Sequence, residues 1–492
     1  MEMAASQSGD ALVNAPEEHG EIVNADIGVI GAGPAGLAVA TSAAALGRTV
    51  VLVEGQRFGG QALNSGCIPR RALAASAARA HAIRTAGMVG ITGAEPVVDM
   101  RAVHAYISSA SGKVAPNFAP ERFAGLGVRV IQASGRFIDR RTLLAGEYRI
   151  KARRFVIATG TTPSMPEISG LQSTPYFTTD SILENIIPVH SLIVIGGSAA
   201  GLEIAQAYSR LGANVIVLNR SAILPEEDGE LTQTVFERLA EEGIGVHQNA
   251  NVDAVEGDLG RVRVKVSVNG EQHVVEGSHL LIAAERKPAI DNLGLDVARI
   301  RHDANGLQLN SGLRTSNRRV FAVGAVTGSP LHAHTAEHHA AVVISRALMA
   351  VPASVDTSLL ARAVFTEPEF AYVGLTEDEA KKRNRKIHVL RWPYRENERA
   401  QAEGIAAGHV KVVTTTTGRI LGAGIAGASA GELIQPWALA IARGLDMKAM
   451  VRWNLPSPTL GEINKRVASS YYAANLASPA LRKFIGLLAK IR

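Results

Sequence analysis

The chain has 492 residues, too many for one ordinary hydrophobic core, so two or three domains are expected. Hydrophobic residues make up 47% of it and its 48 glycines are spread through apolar segments, which excludes a disordered or collagen-like chain and points to an α/β protein rich in tight turns. Its net charge of +6 is a small excess, and with no nucleic-acid-binding motif and no interleaving of aromatic and basic residues, nucleic acid is set aside as a partner.

Residues 1–24 are polar and acidic and read as a flexible tail, without the basic start and apolar stretch of a secretory signal. No apolar run is long enough to cross a bilayer, so a cytoplasmic protein is expected. From residue 26 an apolar strand runs into Gly31-Ala-Gly33-Pro-Ala-Gly36, an alanine-rich helix, and a second strand ending in Glu54. Strand, glycine turn, helix, strand and terminal acid is the order of a dinucleotide-binding βαβ unit. Gly31 permits the tight turn, Gly33 lets the backbone approach a pyrophosphate, Gly36 lets helix and strand pack closely, and Glu54 can accept from a ribose hydroxyl. Next comes Gly59-Gly60-Gln61-Ala62-Leu-Asn-Ser-Gly66-Cys67-Ile-Pro69-Arg-Arg71. Cys67 is the only cysteine of the chain, so no intrachain disulfide can form.

The βαβ order recurs from residue 191 as Gly196-Gly-Ser198-Ala-Ala-Gly201, a helix containing Glu203, and a strand ending in Asn219-Arg220. Ser198 replaces the middle glycine and is expected to narrow the approach to the pyrophosphate. The terminal acid is replaced by an amide and a cation that suits a 2′-phosphate, so NADPH is expected here in preference to NADH. Two such units imply two dinucleotides, an FAD on the first and a nicotinamide cofactor on the second, with hydride passing between them.

The segment 59–71 resembles the redox segment of the glutathione reductase, dihydrolipoamide dehydrogenase and mercuric reductase family, the class I pyridine nucleotide-disulfide oxidoreductases. That family's pattern is Gly-Gly-x-Cys, four residues, Cys-x-Pro. Phe155-Val-Ile-Ala-Thr159-Gly160 and Arg319-Val-Phe-Ala-Val-Gly324 are similar to the family's two further flavin segments, and residues 363–470 to its homodimerising interface domain. The Ser at 198 and the run Gly431-Glu-Leu-Ile-Gln resemble the mercuric reductase branch in particular. The resemblance implies an α/β fold with two Rossmann-type dinucleotide-binding domains plus a C-terminal α+β interface domain. Its implied division is 1–24 tail, 25–165 FAD-binding, 166–287 NAD(P)H-binding, 288–354 return to the FAD domain, 355–470 interface, and 471–492 basic amphipathic tail. It also implies FAD contacts from Gly60, Gln61, Thr159, Gly160, Gly324, Ala325 and His334, the last at a helix N-terminus facing the flavin. Arg71 and Glu203 match a lysine–glutamate pair near the flavin's reactive nitrogen and, with Cys67, form the implied catalytic set.

Four departures from the family pattern fall at its chemistry. Ala62 replaces the thiol that exchanges with substrate, while Cys67 matches the flavin-side thiol; two sulfurs are needed for a dithiol cycle and one is present. Ser457 replaces the histidine supplied by the partner subunit, and a serine hydroxyl does not titrate near neutrality. Thr459 and Glu462 fit a helix capping box, which explains Glu462 without a catalytic role. Ala325 replaces an aspartate that bonds the flavin's ribityl chain, and Glu285 puts a side chain where a turn glycine is usual. No metal site is expected from His332, His334, His338 and His339, whose segment opens an apolar helix. The expected activity is therefore transfer of hydride from NADPH through FAD to a small non-disulfide acceptor, with a single-thiol flavoenzyme or a non-catalytic flavin binder as alternatives. The last segment places Leu481, Phe484, Ile485, Leu488 and Ile491 at helical spacing, with Arg482, Lys483, Lys490 and Arg492 largely elsewhere on the wheel. It suits either the protein's own surface, the plainer expectation, or peripheral contact of residues 478–492 with an anionic membrane.

Overall fold

The structure, a computed structural model, describes residues 20–328, 335–383, 386–476 and 479–489. Its first layer is a seven-stranded sheet in which Val128–Ile131, Val50–Val53, Glu21–Ile30 and Tyr148–Ile157 lie side by side and parallel. The first half of Tyr148–Ile157 pairs antiparallel with Thr142–Ala145, and its second half pairs parallel with Val320–Ala322. Ile27, Val29, Leu52 and Val156 are wholly buried against the helices Pro34–Ala45 and Thr335–Ala347. The alanine-rich face (Ala40, Ala43) is what lets the first helix sit so close.

The opening strand starts at Glu21, inside the stretch expected to be a loose tail. Its alternation of exposed Ile22 and Asn24 with buried Val23 and Ala25 reads as polar in sequence, yet pairing with Tyr148–Lys151 extends it.

A second, five-stranded parallel sheet is ordered Gly245–His247, Asn214–Leu218, Ser191–Ile195, His279–Ile282, Phe177–Thr178, with helix Ala199–Arg210 packed on it and an antiparallel three-stranded sheet following. The chain enters this unit through Thr161–Pro163 and leaves it through Arg286–Pro288, and these two short strands pair with each other. A third, antiparallel sheet, Arg362–Val364, Glu369–Gly374, Ile420–Gly427, His409–Thr415, Ile387–Pro393, carries the C-terminal helices. There the buried Trp437 donates from Nε1 to Asn464 Oδ1 at 2.8 Å. Buried Lys411 ties this sheet to the second unit, its ammonium 2.9 Å from Asp228 and Glu230 and 3.0 Å from Glu377.

On helix Pro479–Leu488, three residues of the apolar face that the plainer expectation packs on the protein are open to solvent: Phe484, Ile485 and Leu488 are 57%, 55% and 48% exposed. Helical spacing decides which side chains share a face but not what covers that face.

His339, buried in helix Thr335–Ala347, accepts the Gly324 N–H at Nδ1, 3.1 Å away, and so fixes the turn Gly324–Thr327 to that helix. Burial, helped by neighbouring His338, pushes its pKa down to about 4 from the ordinary 6.5. The unfolded chain therefore binds this proton first, so the stability owed to neutral His339 is complete above pH 6.5 and is lost as the pH falls toward 4, about 3 kcal/mol in all. His339→Asn should lower stability at neutral pH but flatten its decline between those values, measured by urea unfolding; an unchanged decline in the variant would contradict this assignment.

Candidate active site

Between the first and second units lies one continuous cleft of about 2700 Å³. Its walls include Gly31, Gly33, Glu54, Gly60, Gln61, Cys67, Thr159, Gly160, Gly324 and Ala325 from one side and Gly196, Ser198, Asn219 and Arg220 from the other. Gly36 and Gly201 stand behind the wall and serve packing: a Cβ on Gly36 would lie 1.9 Å from the Gly31 carbonyl oxygen, and one on Gly201 2.6 Å from Ala283 Cβ. His334 lies outside the described residues.

The first unit is open to a ligand. Gly31 has φ +107°, and a Cβ there would meet the Ala158 carbonyl at 2.4 Å, so only glycine fits the turn. A Cβ on Gly33 would meet nothing within 4 Å, and the helix Pro34–Ala45 behind it has no side-chain cap, which leaves its first N–H groups free for an anion. Glu54 accepts from Ala32 N–H at 2.6 Å and Gln56 N–H at 2.7 Å, holding its carboxylate at the strand end. The Thr159 hydroxyl donates to the Ala289 carbonyl at 2.7 Å, and Gly160 accepts from Ala289 N–H, so these two residues also clamp the two chain crossings together. Bare backbone, free helix N–H groups and a placed carboxylate are the donor and acceptor set that FAD's pyrophosphate and ribose require. Ala325 adds no polar group to it.

The second unit is partly self-satisfied. The Ser198 hydroxyl turns away from the cleft, donating to the Ala283 carbonyl at 2.9 Å and accepting from Gly201 N–H at 3.3 Å. It caps helix Ala199–Arg210 and does not intrude on a pyrophosphate as expected, because a cap hydroxyl gains most from the first-turn N–H groups behind it. Asn219 repeats the role of Glu54: its Oδ1 accepts from Gly197 N–H at 2.9 Å while Nδ2 donates to the Ser221 and Ala222 carbonyls. With that amide engaged, the exposed Arg220 is the group left at the strand end to meet a ligand.

Cys67 is exposed at the start of helix Cys67–Thr85, and Ala62 presents only a methyl in the short helix Gly60–Asn64. The expected Arg71–Glu203 pair is not formed. Arg70 instead faces Glu203, with Nε 3.8 Å from Oε2, and Glu203 Oε1 accepts the Phe365 N–H at 3.0 Å. Arg71 lies 4.6 Å over the Phe365 ring and 4.0 Å from Glu369. Adjacent helix residues point about 100° apart, so only one of the two arginines can face Glu203, and the planar guanidinium of the other finds a flat partner. Burial raises the Glu369 carboxyl above its ordinary pKa despite the Gly431 N–H at 2.9 Å and Arg71.

Ser457 donates to Glu462 Oε2 at 3.3 Å, and the same oxygen accepts the Thr459 N–H at 3.0 Å. This is half of the expected capping box, since the Thr459 hydroxyl goes to the Pro456 carbonyl instead. Glu285 is exposed on the cleft with φ outside the left-handed region, so its turn carries a side chain without strain. Sequence reading missed Asp180, Phe365 and Glu369, which no local motif marks; Asp180 receives a two-pronged bond from Arg286, both prongs 3.0 Å.

Residues 25–340 match the profile of the pyridine nucleotide-disulphide oxidoreductase family, and residues 360–468 match that family's dimerisation domain. The mercuric reductase of Streptomyces lividans is 32% identical over 457 residues, covering 91% of this chain and 96% of that one. The dihydrolipoyl dehydrogenase of Bacillus subtilis strain 168 is 32% identical over 455 residues, again covering 91% and 96%. Among solved structures the fold is similar to LpdA of Mycobacterium tuberculosis, with TM-score 0.82 and 25% identity over 90% of this chain and 99% of that one. It is also similar to the HOCl-induced flavoprotein disulfide reductase RclA of Escherichia coli in its Cu(II) complex, with TM-score 0.81 and 23% identity over 91% and 99%. The chain therefore belongs to the class I pyridine nucleotide-disulfide oxidoreductase family, a family of FAD-dependent NAD(P)H oxidoreductases.

Proposed function

We propose that this protein passes hydride from NADPH through FAD to a small acceptor that is not a disulfide. The observation that carries the reading is that Cys67, exposed on the cleft, is the chain's one thiol, with Ala62 offering only a methyl at the position the family resemblance gives to an exchange thiol; Ser457 stands at the position the resemblance gives to a base. FAD, when bound, supplies a two-electron carrier between nicotinamide and acceptor. The chain supplies the rest. Gly31, Gly33, Glu54, Gly60, Thr159, Gly160 and Gly324 hold the flavin nucleotide, and Gly196, Gly197, Asn219 and Arg220 the nicotinamide nucleotide, Arg220 favouring the 2′-phosphate of NADPH. Residues 25–165 with 288–354 and residues 166–287 are the two nucleotide domains, and residues 355–470 join two copies into a homodimer. Arg70 and Glu203 set the charge beside the redox segment. With neither an attacking thiol nor a titrating imidazole, the acceptor is one that needs neither, such as a quinone, dioxygen or a metal ion.

The exposure of Cys67 supports a second reading, in which this thiol cycles alone through sulfenate or a mixed disulfide. Anaerobic rapid mixing separates the two. NADPH should bleach the bound flavin at a rate that Cys67→Ser leaves within about three-fold of wild type, with quinone turnover retained and glutathione disulfide or lipoamide untouched, because no protein dithiol takes part. Loss of turnover in Cys67→Ser would favour the single-thiol reading, and a flavin that NADPH does not reduce would remove catalysis altogether.

The C-terminal helix adds a peripheral membrane contact to the reading. Its exposed Phe484, Ile485 and Leu488 adjoin Arg482 and Lys483, and after Glu462 the sequence holds six basic residues and no acidic one. That charge complements anionic lipid and repels a second copy of the same helix. The full-length protein should sediment with phosphatidylglycerol-rich vesicles at low salt and not with phosphatidylcholine vesicles. Phe484→Asp/Ile485→Asp should abolish this with FAD content unchanged; equal sedimentation of that variant would contradict the contact.

A further inference from the structure

The redox segment and the nicotinamide side of the cleft are joined by a short chain of side-chain bonds. Gln61 Nε2 donates to Asp180 Oδ1 at 3.1 Å. Asp180, just after strand Phe177–Thr178 of the second unit, is gripped by the guanidinium of Arg286, Nη1 to Oδ1 and Nη2 to Oδ2, each at 3.0 Å. Arg286 is itself anchored on the other crossing strand, its Nε donating to Thr161 Oγ1 at 2.9 Å and its Nη2 to the Thr161 carbonyl at 3.0 Å. Both crossings between the units, the loop carrying Asp180 and the redox segment thus meet at one carboxylate.

Gln61 is well placed to transmit that hold. Its carbonyl accepts the Ser65 N–H at 3.0 Å, and a Cβ on Gly66 would lie 2.8 Å from the same oxygen, so Gly66, the residue before Cys67, rests directly on Gln61. Asn64 closes the turn internally, Nδ2 donating to the Phe58 carbonyl at 3.0 Å and the Gly60 carbonyl at 2.8 Å. Among the described residues, the Gln61 side chain makes the only side-chain hydrogen bond that leaves segment 58–66 for another part of the chain. The turn has one backbone tether, Gly59 N–H to the Ala32 carbonyl at 2.9 Å in the first unit, and one side-chain tether, which ends on the nicotinamide-binding unit. Arg286 is 12% exposed and Asp180 28%, so the fork is sheltered while the Gln61 end faces the cleft.

We infer that Gln61 and Asp180 are positioning residues: their hydrogen bond sets the redox segment, and with it Cys67, against the nicotinamide-binding unit and the hinge strands. The inference rests on the proposed hydride transfer for its consequence but not for its structural content. No group in the linkage needs to titrate or to touch a reacting atom. The bonded carboxylate orients Gln61, Gln61 orients the Gly60–Asn64 turn, and the turn presents the wall of the cleft against which the two nucleotides must meet.

The test uses Gln61→Met, which keeps the length and removes the donor, and Gln61→Lys, which restores a donor of similar reach. In the FAD-free full chain, amides of residues 59–66 should exchange with solvent roughly five-fold faster in Gln61→Met and return toward wild type in Gln61→Lys, while those of strand Tyr148–Ile157 stay unchanged. In the flavin-loaded protein, the limiting rate of flavin reduction at saturating NADPH should fall about five-fold in Gln61→Met with the half-saturating NADPH concentration unchanged, a split that a general loss of stability would not give. Asp180→Ala combined with Gln61→Met should speed exchange of residues 59–66 no further than Asp180→Ala alone, because either change removes the Gln61–Asp180 bond. Wild-type exchange in Gln61→Met, or a Gln61→Lys variant no better than Gln61→Met, would overturn the linkage. If NADPH fails to reduce the wild-type flavin, the proposed function falls while the exchange measurement still decides the linkage.

Discussion

The pairing of Thr161–Pro163 with Arg286–Pro288 is the constraint on which the rest of the molecule depends. The chain must leave the first nucleotide-binding unit, build the second and return, and these two strands hold the exit and the re-entry together. Thr159 and Gly160 fasten to Ala289 just above them, and Arg286 fastens Thr161 to Asp180. Because both crossings are fixed at one place, two independently folded glycine turns face each other across one cleft instead of opening to separate surfaces. Lys411, buried among three carboxylates, pins the second unit from the far side onto the antiparallel sheet. Removing the amine would leave buried Asp228 without its cation, with Glu230 and Glu377 held by Arg391 and Lys381, a destabilising arrangement.

Within that frame the two glycine turns have diverged in how completely they satisfy themselves. In the first, the helix N-terminus is uncapped and Gly33 leaves open space before it. In the second, Ser198 caps the helix and Asn219 closes the loop with all of its amide. The first site is consequently built to be completed by a tightly held nucleotide, whereas the second is already coherent and suits a cofactor that comes and goes. The redox segment between them holds its glycines and one sulfur, Cys67; on the proposed reading it serves hydride transfer without disulfide exchange.

Much of this was legible in the sequence, for reasons that are steric. Gly31 and Gly36 sit where any Cβ would collide with backbone, so their spacing is forced and readable. The single cysteine and the replacements Ala62 and Ser457 are equally plain, since absence of a sulfur or an imidazole needs no geometry. What the sequence hid depends on phase and distance. Whether Arg70 or Arg71 meets Glu203 is set by the rotation of helix Cys67–Thr85 against helix Ala199–Arg210. Ser198 looked like an obstruction because its inward turn toward Ala283 is made by a strand 85 residues away. Asp180 and Phe365 carry no local signature at all, and the exposed face of Pro479–Leu488 shows that an amphipathic pattern does not name its own partner.

The central claim is that the flavin is the only two-electron store in the active site. A relative with a redox-active disulfide holds two electron pairs, one on the flavin and one on the sulfurs; this chain has one cysteine. The most direct measurement is an anaerobic titration of the FAD-loaded protein with NADPH, following the flavin absorbance. Complete bleaching at one equivalent of NADPH per FAD is the expected result. A requirement for two equivalents would reveal a second electron store and contradict the account.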